Sequence, residues 1–419
     1  MDKLLVDTYK EILKRELEVA TGCTEPVAVS FCAAKARSIL GKPVNKVKLV
    51  VSTNIFKNAA YVYIPGTNLY GVIPSCILGI LGGDEEKGLR VLEGITEEHI
   101  KKTLELLQSN FVNLDVVNNE HKLYIHVTVF HDDEYVEVEI KHKHINITKI
   151  VKNGNVLYKQ DETNIDINKL DYNLLNIKDI YTFAKTCDYT DILPLLNQQI
   201  VCNYQIAQAG LQVDCGLNVG KTIYNNYPHD TINTAIAYTA SASDARMSGI
   251  CKPVVTNSGS GNQGITVSVP LIVYAENHHL PKDTLYRALI LANLVAIYIK
   301  SQVGRLSYLC GAVFAATGAS CGLSFLKGGS ITEVENALKI MLADLTGVYC
   351  DGAKTTCALK VASATCSAFR AINLALNNQS INAPVGIINS DVETTIKNIS
   401  YLGKSSETDL RIVEILKGY

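Results

Sequence analysis

Between Leu114 and Tyr158 apolar side chains recur at alternate positions, as in LYIHVTVF and YVEVEIKH. Asn153-Gly154 adds a hairpin turn signal. A helix cannot gather that pattern onto one face, so the stretch is expected to form an antiparallel sheet with one buried side. After a polar linker at 160–170 the period becomes helical and stays so to the end, interrupted by the Gly/Ser-rich Asn257–Gly264. Ahead of the sheet, residues 2–20 and 26–40 read as helices, separated by the loop Thr21–Glu25. Lys46–Thr53 and Tyr61–Pro65 read as short strands, and 85–109 as a charged helical stretch. The expected class is α+β: a small mixed N-terminal part with antiparallel strands and a larger, mainly helical C-terminal domain. The corresponding units are N-terminal helices at 1–40 packing on the helical domain, an α+β domain at 41–165, and the helical domain at 166–419.

Charge is balanced, 39 basic against 41 acidic residues, which points away from nucleic acid and membrane surfaces as partners. MDKLLVDTYKEILKRELEVA is charged throughout and amphipathic, unlike a signal peptide, so a cytoplasmic location is expected. Ala288–Ile299 is too short to span a bilayer. Leu306–Leu326 is long enough and uncharged, but its Ala, Gly, Ser, Thr and Cys content suits a helix buried within a domain, approached closely by its neighbours. Twelve cysteines exceed what packing normally uses, and in a reducing compartment a surplus points to metal or catalysis.

Three stretches carry chemistry. Cys310, Cys350 and Cys357 follow C-x39-C-x6-C, with the last two bracketing a Gly-containing turn. They read either as buried small hydrophobes or as three thiolates for a [4Fe–4S] cluster with one iron open, since the tight pairs of a zinc site are missing. In the second stretch, glycines can turn the backbone N–H groups toward an anion. Asn257, Ser258, Gly259, Ser260, Gly261, Asn262 and Gln263 thus suit a substrate carboxylate or phosphate. The third is TGCTEP, where Pro26 opens a helix, Thr24 or Glu25 caps it, and Cys23 sits at its N-terminus. The helix dipole there is expected to lower the thiol pKa and allow a general base. Arg246, in SASDARM, could pair with a carboxylate, with Asp244 as its structural partner. Lys57 and Asn58 stand at a strand end, and His142 and His144 share a solvated sheet face. The other cysteines read as packing.

GCTEP, Pro65–Thr67, SASDARM, NSGSGNQGI, LSYLCGA and CDGAKTTCALK together resemble the L-cysteine desulfidase family, related to the iron–sulfur L-serine dehydratase α chain. The motifs occur in family order across residues 22–360. The resemblance implies a [4Fe–4S] cluster bound by Cys310, Cys350 and Cys357, with Cys23 as the candidate base. It also implies a pyridoxal-independent β-elimination of L-cysteine to pyruvate, ammonia and hydrogen sulfide. A small amino acid is the expected partner, in a possible homodimer. L-Serine dehydration by the same chemistry is the first alternative. A pyridoxal-phosphate β-eliminase, with Lys221 or Lys252 as its lysine, is the second, and a non-enzymatic thiol-rich metal store or sensor the third.

Overall fold

The computed structural model describes residues 1–118, 121–160, 170–382, 384–404 and 407–417. The expected linker at 160–170 and the boundary at 165/166 therefore fall almost wholly outside the described residues. The chain is α+β. Six strands form one sheet in the order Val112–Val117, Lys46–Ser52, Tyr124–His131, Glu134–Lys141, Ile147–Lys152, Asn155–Lys159. The first pair is parallel and the others are antiparallel, so the sheet is mixed. Asn153 and Gly154 both have positive φ, as the two-residue hairpin turn requires. The alternation read from the sequence buries Ile125, Val127, Val129, Val136, Val138 and Ile140 on one face.

Helix Thr24–Leu40 covers that face. Its small residues, Ala28, Ala33, Ala34 and Ala36, are fully buried and let it lie close to the sheet and to helix Val72–Gly82. At Gly79 a Cβ would stand 2.3 Å from the Ser30 carbonyl oxygen, so the two backbones touch. Helix Lys3–Glu16 goes the other way, burying Tyr9, Ile12 and Leu13 in the core of the helical half. The two N-terminal helices thus pack on different halves of the molecule. Between them Val19–Thr21 pairs with Pro253–Val255 as a small ribbon where a helix continuing to residue 20 was expected.

Two other local expectations change. Tyr61–Pro65 is not a strand and makes one bridge, Tyr63 to Tyr70, across the turn that Gly66 opens. The strand at 46 ends at Ser52, whose hydroxyl accepts from the Ile55 N–H at 3.4 Å and starts helix Thr53–Ala59. Lys57 and Asn58 therefore lie on a helix.

The helical half is built on Lys282–Val303 and Gly311–Leu326, whose contact uses Gly318 and Gly322 against the Ala292 and Ala288 carbonyls. Lys282–Val303 is the one helix among the described residues long and apolar enough to cross a membrane, and 83% of its apolar window is buried in the fold. The apolar run at 306–326 is interrupted, its helix beginning only at Gly311.

The C-terminal helix Glu407–Lys417 is pinned to Thr53–Ala59 by a buried ion pair, Lys57 Nζ to Asp409 Oδ1 at 2.5 Å. Lys57→Met would strand the Asp409 carboxylate in the interior, with only Lys122 at 3.9 Å. Urea unfolding is expected to show a loss of about 3 kcal/mol, and Lys57→Met with Asp409→Leu to recover most of it.

Candidate functional site

One cavity of about 100 Å³ lies where the sheet layer meets the helical half. Cys310, Cys350 and Cys357 line it, together with Cys23, Arg246 and the Ser260, Asn262 and Gln263 end of the glycine loop. Four helices begin at its wall. Cys23 is the N-cap of Thr24–Leu40, Ser260 of Gly261–Asn277 and Cys310 of Gly311–Leu326, while Cys357 is the first residue of Cys357–Leu376. Each helix start leaves backbone N–H groups without intrahelical partners and carries partial positive charge, so the four together favour an anionic occupant.

The cysteines converge through main-chain pairing. Leu309 and Tyr349 form an antiparallel bridge, with Cys350 N–H donating to the Tyr308 carbonyl and Cys310 N–H to the Val348 carbonyl. That register places Cys310 and Cys350 near each other, and the turn at 351–356 returns Cys357 to the same wall. Gly352 in this turn has φ +104°, and a Cβ there would stand 2.2 Å from the Lys57 carbonyl oxygen, so only glycine fits. Asp351 receives Lys354 at 2.5 Å and Lys360 at 2.7 Å, which brace the turn. Burial works against its ionisation, but the two ammonium groups win and hold it near 2.

Burial, reinforced by the negative charge of neighbouring thiolates, pushes Cys310 up to about 12 and Cys357 upward. Those two thiols cannot both ionise in a dry wall unless a positively charged group accepts them. Buried Lys300 faces Cys350 and Cys310; burial lowers it to about 8 despite those thiols. Among the described residues no three His, Cys, Asp or Glu side chains meet closely enough for a single ion. Three thiols spread around one cavity, with two helix N-termini behind them, fit a larger multi-iron body instead.

Cys23 departs from expectation. The helix start does not make it a thiolate: burial and the adjacent Glu25 carboxylate raise its pKa well above the usual thiol value, and Arg246 only partly opposes them. Its Sγ–H donates to Glu25 Oε2 at 3.1 Å, and Pro26 is the third helical residue, not the first. Glu25 also accepts from Asn58 Nδ2 at 3.1 Å and Thr24 Oγ1 at 3.1 Å, and pairs with His144 Nε2 at 3.7 Å. Burial alone would raise the Glu25 pKa, but His144 and these donors outweigh it and hold it near 2.

This folded value lies below the ordinary value of 4.5, so the stabilisation is complete above 4.5 and is lost as pH falls toward 2. It amounts to about 3 kcal/mol. Urea midpoints measured between pH 6 and pH 3 are expected to fall less steeply for Glu25→Gln than for the wild type.

Arg246 is 2% exposed and donates to the Gly22 carbonyl at 2.8 Å and Asn262 Oδ1 at 3.2 Å. No carboxylate pairs with it among the described residues, and its Nε has no acceptor. Asp244 is not its partner: that carboxylate accepts the Gly220 N–H at 3.0 Å. Gln263 Oε1 is likewise buried without a partner. The first part of the glycine loop turns elsewhere. Asn257 donates to Asn293 in the core, Ser258 donates to Asn257, and Gly259 backs onto Arg305 and His144. Gly261 lies flat against the Arg246 guanidinium, where a Cβ would stand 2.2 Å from Nε.

Sequence reasoning missed Glu25 and Lys300 as wall residues, and His144 as the partner of Glu25. Glu25 was read only as a cap. His144 lies beyond the strand ending at Lys141 and is 6% exposed, so a solvated sheet face does not describe it. Lys300 had a signal, a lysine inside the apolar AIYIKSQV. Lys221 pairs with Asp214, and neither it nor Lys252 lines the cavity.

A profile of the family described as serine dehydratase alpha chain matches residues 86–414. That range contains Arg246, the glycine loop and the three cysteines, and leaves out Cys23, Glu25 and Asn58. The chain is also 41% identical over 407 residues to a UPF0597 protein of Fusobacterium nucleatum, covering 95% of each. A UPF0597 protein of Lachnoclostridium phytofermentans is 40% identical over 409 residues, covering 97% of this chain and 98% of the relative. One from Desulfitobacterium hafniense is 38% identical over 413 residues, covering 98% and 96%.

Proposed function

The chain belongs to the serine dehydratase alpha chain family, and from that premise we propose that it is an iron–sulfur lyase that eliminates hydrogen sulfide from L-cysteine. One observation carries the reading: a single small cavity presents a guanidinium without an acidic partner, a buried carboxylate and three thiols. The first two are complementary to the carboxylate and ammonium of an amino acid. The thiols are a cofactor's ligands.

Arg246 and the backbone N–H groups at the start of Gly261–Asn277 hold the substrate carboxylate, with Gln263 Oε1 free to accept a proton donor. The substrate ammonium turns to Glu25. Its positive charge then offsets the Glu25 carboxylate, which after burial most opposes ionisation of Cys23, and so favours the thiolate. That thiolate takes the Cα proton. Cys310, Cys350 and Cys357 would hold a [4Fe–4S] cluster, which when bound supplies a Lewis-acidic iron for the departing sulfur. The Cα–H and Cβ–S bonds break, and the aminoacrylate released takes up water to give pyruvate and ammonia.

The family's description favours a second reading, dehydration of L-serine by the same residues. The test is anaerobic purification with iron and acid-labile sulfide assays, then addition of L-cysteine and detection of sulfide and pyruvate. Roughly four irons per chain with sulfide release supports the desulfidase. Pyruvate from L-serine alone moves the assignment to dehydration, and a cluster-free protein inhibited by a carbonyl reagent would move it to pyridoxal phosphate.

A further inference from the structure

A second cavity, of about 330 Å³, opens beside the first and shares Lys300 and Arg305 with it. Arg15 from the first helix and Lys143 from the loop after strand Glu134–Lys141 face into it. Its only carboxylate among the described lining residues is Glu16, already held by Arg305 Nη2 at 2.7 Å and by the Tyr172 hydroxyl. Arg15 and Lys143 have no acidic partner among the described residues. An adjoining cavity of about 520 Å³ continues past Tyr172, Ser301 and Arg305, and its described lining includes Lys122 and Lys404 but no carboxylate. Soluble proteins intersperse the two signs of charge; a concavity lined by one sign concentrates counter-ions within it.

We propose that this cleft, walled by Arg15, Lys143 and Arg305, is a binding site for a small anion carrying two or more negative charges, a phosphate or a dicarboxylate. Two cations from separate elements, neither in an ion pair among the described residues, set the charge. The volume admits such an ion with water around it. The cations also oppose one another: burial lowers the Lys143 pKa, and the charges of Arg15 and Arg305 lower it further, with Glu16 and Glu18 opposing them only in part. An anion between them would relieve that repulsion. The site adjoins the cavity of the cysteines and shares Lys300 and Arg305 with it, and its occupancy is read from binding alone, without turnover.

The test is calorimetric titration of the full-length, anaerobically purified protein with inorganic phosphate and, separately, succinate, at constant ionic strength set with chloride. Saturable binding of one or both is expected, and which one binds separates a phosphoryl from a dicarboxylate ligand. Arg15→Ser with Lys143→Ser is expected to weaken binding at least about tenfold. Lys143→Glu alone is expected to do the same, should the double variant fold poorly. Lys101→Ser with Lys102→Ser, on the exposed face of helix Glu97–Leu107, removes the same net charge elsewhere and should leave affinity unchanged. Absence of saturable binding, equal affinity in the cleft variants, or equal weakening by the distal pair would overturn the proposal.

Discussion

Replacing Cys357 with serine is expected to reduce bound iron from roughly four per chain to less than one, and elimination activity to background. A serine hydroxyl is a poor ligand for iron, and the two remaining thiols on the bridge at 309 and 349 cannot hold the group alone. Cys310→Ser and Cys350→Ser should behave alike. Stability of the apoprotein should change by less than about 1 kcal/mol, because the position lines a cavity and packs only at the edge of the small cluster of Cys23, Val62 and Met247. Cys202→Ser supplies the contrast: that thiol lies on helix Leu193–Gln212 away from the cavity, and its loss should leave iron and activity intact. Iron retained after Cys357→Ser would remove that thiol from the ligand set.

The second large effect is expected at Arg246. Arg246→Ala should raise KM for the amino acid by about 100- to 1000-fold, the cost of losing a buried charge-assisted pair. Arg246→Lys keeps the charge but loses the forked geometry that reaches Gly22 and Asn262, and should fall between. The side chain also fixes that loop, so KM alone does not identify its ligand. The ethyl ester of the substrate does. Masking the carboxylate should weaken binding to the wild type and scarcely alter binding to Arg246→Ala. An equal penalty in both would place the substrate carboxylate elsewhere.

The sheet was legible because alternation survives burial of one face, and Val127 opposite Val138 is that alternation made physical. Lys46–Thr53 read as a strand for the same reason, but its parallel pairing with 112–117 could not be read, since pairing direction leaves no periodic trace. Helix Thr53–Ala59 hid behind β-branched neighbours and was disclosed only by the Ser52 cap. At the site, the glycine loop and the cysteine spacing stood out by composition. Which residues of the loop face the cavity did not: Asn257 and Asn262 are the same residue type, yet one bonds inward to Asn293 and the other outward to Arg246. The Cys23 thiol shows the sharper limit. A helix N-terminus is visible in TGCTEP, but desolvation and the exact placing of the Glu25 carboxylate belong to the tertiary structure, and they reverse the sign of the shift.

The cavity's wall is drawn from two separately cored layers. Cys23 and Glu25 begin a helix laid on the sheet, whereas the three thiols and Arg246 belong to the other half. Neither layer can assemble a reaction chamber without the other, whatever its own stability. A chain severed between residues 160 and 170 would leave Cys23 and Glu25 on one fragment and every thiol of the trio on the other. Chemistry would then report reassociation of the two pieces, making turnover a gauge of how firmly the seam is closed.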